Sequence, residues 1–237
     1  MGYFFMDKFA DDVDLITTLE YYDQIDDEMN HIAAWATENN LLLNKSKTKE
    51  IIFAKNKKVV IPPVVDGRER VGSLKKLGVT LQSNLTMKDH VTDVISTCTN
   101  MVYALNMLRS HGLNQVALQQ IFTSKILSKI MYASPAWVGL AGQEERTRIN
   151  SFLRRSKRFG YYPEDGKMFE ELSANADDKL FKNIESNNNH VLHHLLPEKN
   201  ITKYNLRDRM HNYTLPAKDD RNFINRILYK NLRLNVK

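Results

Sequence analysis

The 237-residue sequence predicts an α+β fold: a small α/β head over residues 1–82, a mostly helical body, and an irregular C-terminal tail from residue 190. Three observations carry this expectation. Aromatic and β-branched residues flank a tight acidic centre at Phe9-Ala10-Asp11-Asp12, the pattern of a hairpin. After Asn84 the apolar residues step by three and four, the period of a helix. From His190 onward, Pro197 and Pro216 punctuate a stretch with little apolar periodicity.

In the head, Tyr3, Phe4 and Phe5 lead to the acidic pair, and Val13, Leu15 and Ile16 follow it, which places Asp11 and Asp12 at a hairpin tip. Residues 21–39 read as a helix through Ile25, Met29, Ile32 and Trp35 or Ala36, stopped by Asn39-Asn40. Leu41, Leu43, Ile51, Ile52 and Phe53 read as strand material around the basic turn Asn44-Lys45-Ser46-Lys47-Thr48-Lys49. Short strands and turns are expected over 57–82: Val59-Val60-Ile61, a break at Pro62-Pro63, a turn at Asp66-Gly67, then Leu77-Gly78-Val79-Thr80-Leu81.

In the body, Thr86 and Asp89 fit a capping box. Val91, Val94, Ile95, Cys98, Met101, Val102, Leu105 and Leu108 form the clearest helical stripe, with Gly112 just past its end. Asn114 caps a second helix through Leu118, Phe122, Ile126 and Ile130 that stops before Pro135. A basic helix is expected over Gln143–Phe159 and a fourth over Lys167–Ile184. Cys98 and the methionines, Met101 and Met107 among them, read as core residues.

Composition bounds the function. No window approaches about 18 consecutive apolar residues, so no membrane span is expected. The acidic N-terminus lacks the basic and apolar regions of a signal peptide. One cysteine excludes a disulfide framework and a cysteine-based zinc site, and an intracellular location, cytoplasm or nucleus, is the expectation. The net charge of +6 conceals a gradient: residues 1–40 hold ten acids and one base, while 41–237 hold 33 bases and 18 acids. Acids in a basic protein can hold divalent metal, and a basic body attracts phosphate backbones. Both charge sets also fit ordinary solvated surfaces.

Phe9-Ala10-Asp11-Asp12 resembles the F/Y-x-D-D box of reverse transcriptases. Leu42-Leu43-Asn44-Lys45-Ser46-Lys47-Thr48-Lys49-Glu50-Ile51-Ile52-Phe53 resembles the L-N-x-x-K-T-K-E segment of non-LTR (LINE-like) retrotransposon polymerases. Lys76-Leu77-Gly78-Val79-Thr80-Leu81 with His90 resembles their L-G-V region, and Met131-Tyr132-Ala133-Ser134-Pro135-Ala136-Trp137 their Y-G-S-P-V-W segment. Leu195-Leu196-Pro197, Tyr204-Asn205-Leu206-Arg207, His211-Asn212-Tyr213-Thr214-Leu215-Pro216 and Asn222–Lys230 are similar to segments at the ends of such reading frames.

The resemblance implies a partial polymerase palm over 1–82, a helical thumb over 83–140, a basic helical extension over 141–189 and a tail over 190–237. It implies RNA-directed DNA polymerisation with Mg²⁺, an RNA template, a DNA primer and deoxynucleoside triphosphates. Asp11 is then the main metal ligand and Asp12 the secondary one, Lys47 or Lys49 meets the leaving pyrophosphate, and Leu77 and Gly78 support the primer terminus. The family's earlier D-x-x-x-A/S-F-D and P-Q-G-S segments have no room before a box that begins at residue 9, so these 237 residues are expected to be catalytically incomplete alone. The alternative is a non-catalytic nucleic-acid-binding remnant.

Independently of the resemblance, the helix at 143–159 sets Arg146, Arg148, Arg154, Arg155, Lys157 and Arg158 against Ile149, Phe152 and Leu153. Such a helix suits a nucleic-acid backbone, a solvated face or, least well, a membrane surface. Tyr161 and Tyr162 fit either base stacking or the core. His190, His193, His194 and His211 have permissive spacings for zinc, but no cysteine joins them. Composition is silent on oligomeric state.

Overall fold

The computed structural model describes residues 4–54, 59–64, 68–200 and 211–232. Tyr3, the turn expected at Asp66-Gly67 and the motif at 204–207 lie outside them. The fold is mixed helix and strand, and it divides into two compact units, 1–72 and 73–237.

In the first unit, β1 (Phe5–Phe9) pairs antiparallel with β2 (Asp12–Ile16), Phe5 opposite Ile16 and Phe9 opposite Asp12. The turn is therefore Ala10-Asp11, with Ala10 in the left-handed region at φ 51°. Residues opposite one another share a face, so Met6 and Lys8 lie with Leu15 and Val13. Lys8 Nζ stands 4.9 Å from the ring centre of Trp35 on α1 (Ile25–Glu38). Asp26, Asp27 and Glu28 occupy the first turn of α1, where carboxylates complement the positive end of the helix dipole.

The expected strands on either side of the basic turn are not there. Leu41–Leu43 and Ile51–Phe53 are irregular, as is Val59–Ile61. The pairing instead joins two-residue segments, β3 (Lys49–Glu50) and β4 (Glu69–Arg70), in parallel. What holds this place is polar. Arg70 donates from Nε to Glu50 Oε2 at 2.6 Å, from Nη1 to Pro62 O at 2.5 Å and from Nη2 to Tyr22 Oη at 2.8 Å. The prolines have no N–H for a ladder, so their carbonyls serve as acceptors.

In the second unit, β5 (Ser73–Lys76) and β6 (Val79–Gln82) form a hairpin whose two-residue turn has Leu77 at φ 46° and Gly78 at φ 84°. Positive φ at both central positions matches the right-handed twist of the strands. Val79 joins the helical core and Leu81 packs against it, so this hairpin belongs with the helices.

Helix α2 spans Lys88–Ser110. The expected Thr86/Asp89 box does not form, because the Asp89 N–H that the Thr86 hydroxyl would accept goes to Gln82 Oε1 at 3.3 Å; the hydroxyl itself donates to that oxygen at 2.8 Å. Buried Met87 fills the cap position. Asn114 does cap α3 (Gln115–Ile121), accepting the Ala117 N–H at 2.9 Å. A π-turn at Phe122–Leu127 carries α3 into α4 (Ser128–Met131). The remaining helices are α5 (Ser134–Trp137), α6 (Gln143–Arg158), α7 (Phe169–Ser186) and α8 (Phe223–Leu232).

The main core gathers Val91, Val94, Cys98 and Leu105 with Leu118, Phe122, Ile126, Ile130, Trp137, Ile149, Phe152, Leu153 and Phe169. Burial pushes the Cys98 thiol up to about 11, against the pull of Lys129. Tyr161 and Tyr162 are buried in this core, Tyr162 stacking on Phe122 at 5.3 Å, so they offer no free faces to bases. Met107, read as core, is half exposed, and Met101 packs only at the core's edge.

The tail also departs from expectation. Much of its described length is irregular, but α8 is not. It brings Ile224, Ile227 and Leu228 onto Phe181 and Ile184 of α7 and onto Tyr213, a second apolar cluster. Arg226 fixes α8 to α7 by two bonds to the Asp177 carboxylate, 3.0 and 3.1 Å, and donates to Pro135 O at 3.2 Å. Gly139 lets the guanidinium pass, since a Cβ there would collide with it. Of the tail histidines, buried His211 donates from Nε2 to Leu228 O at 2.9 Å and accepts the Tyr213 N–H at Nδ1, so both ring nitrogens serve the fold.

Two outcomes follow. Arg226→Ala leaves a buried carboxylate without its partner and should lower stability by about 3–5 kcal/mol in denaturant unfolding. His90 is buried, accepts the Thr80 N–H at Nδ1 and meets Trp137 edge-on at 5.0 Å. Burial holds this imidazole below its ordinary value of 6.5, with Lys129 and Lys75 adding to the effect and Asp93 opposing it. Below 6.5 the unfolded chain takes up a proton that the folded chain resists, so stability should fall as pH drops through that value. His90→Asn should flatten this part of the pH–stability curve.

Candidate functional site

Asp11 stands in the two-residue turn of the first hairpin and Asp12 opens β2, both exposed. The same face carries Asp7 opposite Asp14. A short turn forces adjacent carboxylates away from the sheet and into water, where their repulsion is screened. Among the described residues, no group of three or more acidic, histidine or thiol side chains is placed to hold a metal ion. Two-metal chemistry needs more oxygen ligands than one exposed doublet supplies.

Lys47 and Lys49 are exposed on other elements of the same unit. Lys47 ends the short helical turn Lys45–Lys47, and its N–H bonds to Asn44 O at 3.1 Å. Lys49 lies on β3, with Nζ 3.5 Å from Glu69 Oε2. Glu50, the next residue, points to Arg70, so β3 sends one side chain to the surface and one inward.

Leu77 and Gly78 belong to the second unit, at the tip of the β5–β6 hairpin. Tyr132 Oη donates to Leu77 O at 3.1 Å. A Cβ on Gly78 would sit 3.1 Å from the Tyr132 ring, and φ 84° also favours glycine there. The tip is thereby tied to the loop after α4.

Apart from half-buried Arg148, the basic residues of α6 divide into two sets. Arg146 donates to Val138 O at 2.6 Å and Ala141 O at 3.1 Å, closing the turn between α5 and α6. Lys157 donates to Glu164 O at 2.8 Å and to Gly166 O, and lies 5.5 Å from the Tyr162 ring centre. These two work inside the fold. Arg154, Arg155 and Arg158 are exposed, and Arg154 and Arg158 line an open depression of about 740 Å³ with Ser151, Lys157 and Glu164.

The sequence pattern missed two features. Arg109 donates to Phe159 O at 2.6 Å and lies 4.0 Å over the Tyr161 ring, locking α2 to the end of α6. A second cleft gathers Lys125, Lys129 and Tyr132 beside Leu77 and Gly78. Its signal in the sequence is Ser-Lys repeated at an interval of four, at 124–125 and 128–129.

No protein-family model, curated protein or solved structure matches this chain. No helix among the described residues is long and apolar enough to cross a membrane.

The two sets on α6 should separate in thermal unfolding. Gln at Arg154, Arg155 and Arg158 should change stability by no more than about 0.5 kcal/mol per site. Lys157→Ala should lower it by about 1–2 kcal/mol through lost backbone bonds.

Proposed function

We propose that this chain is the C-terminal part of a non-LTR retrotransposon reverse transcriptase, an RNA-directed DNA polymerase, and that these 237 residues bind nucleic acid without polymerising it. The observation that carries the reading is the Phe9-Ala10-Asp11-Asp12 box at a two-residue hairpin tip, followed along the chain by α1. The basic segment at 44–50 and the Leu77-Gly78 hairpin tip then come in the order the family resemblance calls for. The carboxylates have the exposure a metal-dependent phosphoryl transfer requires, and among the described residues no group of three or more candidate metal ligands gathers around them. A complete centre would need ligands from an upstream segment.

The binding half rests on charge. Arg154, Arg155 and Arg158 present three cations at exposed positions of one helix, and a polyanion gains by releasing its condensed counterions when they meet it. This face also supports the second reading, a nucleic-acid-binding remnant without chemistry, since it needs no metal.

The test uses the full chain with a labelled DNA primer on an RNA template. Binding should weaken steeply as salt rises, with no extension product in Mg²⁺ and deoxynucleoside triphosphates. Extension abolished by Asp11→Asn would show a complete polymerase and overturn the incompleteness. No binding even at low ionic strength would overturn the reading as a whole.

A further inference from the structure

The helix that runs from α3 through the π-turn into α4 sorts its side chains sharply. Phe122, Ile126 and Ile130 are buried in the core. Ser124, Lys125, Ser128 and Lys129 line the opposite cleft. The π-turn inserts an extra residue into the helical register, a distortion often found at binding sites. Ser128 Oγ donates five residues back, to Thr123 O at 3.2 Å.

The cleft has a volume of about 380 Å³ and is walled by the Leu77-Gly78 tip, Met101 and Tyr132. Its wall is fixed from two sides. Tyr132 Oη holds the hairpin tip through Leu77 O, and the Trp137 indole N–H donates to Tyr132 O at 2.9 Å. Lys125 is exposed and Lys129 half-buried, and among the described residues neither forms an ion pair with a carboxylate. Side chains four apart on a helix stand about 6 Å from one another, close enough for two ammonium groups to meet on one tetrahedral anion. The Tyr132 ring is half exposed beside them.

We propose that this cleft binds the phosphate of a nucleotide unit, with Lys125 and Lys129 on the phosphate and Tyr132 and Met101 against the sugar or base. Two positive charges balance a terminal phosphate monoester and more than neutralise a phosphodiester, and an aromatic ring accepts any base because every base has a π-face. The proposal rests on the nucleic-acid reading for the source of its ligand. A free nucleotide and a link of a polynucleotide present the same chemistry, and the experiment separates them.

The full chain, K125Q/K129Q and R154Q/R155Q/R158Q are titrated with a labelled single-stranded oligonucleotide across a salt series. Each is also titrated calorimetrically with a deoxynucleoside monophosphate and with inorganic phosphate. None of the replaced side chains is buried, and an unchanged melting temperature verifies folding. K125Q/K129Q should weaken oligonucleotide binding about tenfold at low salt and flatten the log–log salt slope by about 0.7, the value for one neutralised phosphate on a single strand. Wild-type affinity and slope in K125Q/K129Q, with loss only in the arginine variant, would overturn the cleft while leaving the nucleic-acid reading intact. Monophosphate binding that K125Q/K129Q abolishes, without oligonucleotide binding by the wild type, would support the cleft and sink that reading. Binding of neither ligand by the wild type would overturn both.

Discussion

Trp137 sits where the parts of the helical unit meet. His90 of α2 approaches it edge-on at 5.0 Å, Phe169 of α7 stacks on it at 5.7 Å, and its N–H holds the Tyr132 carbonyl. A buried indole has one donor, and that donor must find an acceptor or forfeit its solvation. Here the acceptor belongs to the residue whose hydroxyl grips the β5–β6 tip. The packing of one aromatic ring therefore sets the position of a surface hairpin. Ala133, next to Tyr132, adopts φ 50°, so the chain accepts a left-handed residue to make this connection.

The charged residues are governed by the same rule, that a cation near unpaired carbonyls is drawn into the fold. Arg146 and Lys157 lie at opposite ends of α6, where chain turns leave carbonyls unpaired, and both are taken up there. Arg154, Arg155 and Arg158 lie on the same helix and remain exposed. A count of basic residues therefore overstates the surface available to a polyanion.

The elements legible in the sequence are those whose stabilising pattern is local. The hairpin around Ala10-Asp11, the α2 stripe and the Asn114 cap each write their signal within a few residues. The parallel contact of β3 with β4 was not legible, because two residues make no alternation and their place is held by Arg70, twenty residues from Glu50. Helix α8 has Phe223, Ile224, Ile227 and Leu228 at helical spacing, yet its partners Phe181 and Ile184 are distant in sequence. The Thr86 cap failed because Gln82, on the preceding strand, took the Asp89 N–H in the hydroxyl's place. In the candidate sites, the Asp11-Asp12 doublet was visible as a compact motif. Lys125 and Lys129 were not, since the apolar stripe of the same helix dominates its pattern and the π-turn alters its register.

Opposite signs of charge give the two regions different relations to a polyanion. Ten carboxylates within residues 1–40 repel phosphate, and the doublet at the hairpin tip concentrates that repulsion where the surface projects furthest from the sheet. Close approach of nucleic acid to Asp11 and Asp12 is unfavourable unless a cation stands between them, since like charges in contact lose more than screening by salt returns. The arginines of α6 carry no such condition. If nucleic acid binds as proposed, contact through α6 weakens with monovalent salt, while contact at the hairpin tip calls for a cation between the two. The two dependences are separable on a single chain, and this makes the acidic doublet more informative than a solvated turn of the same composition.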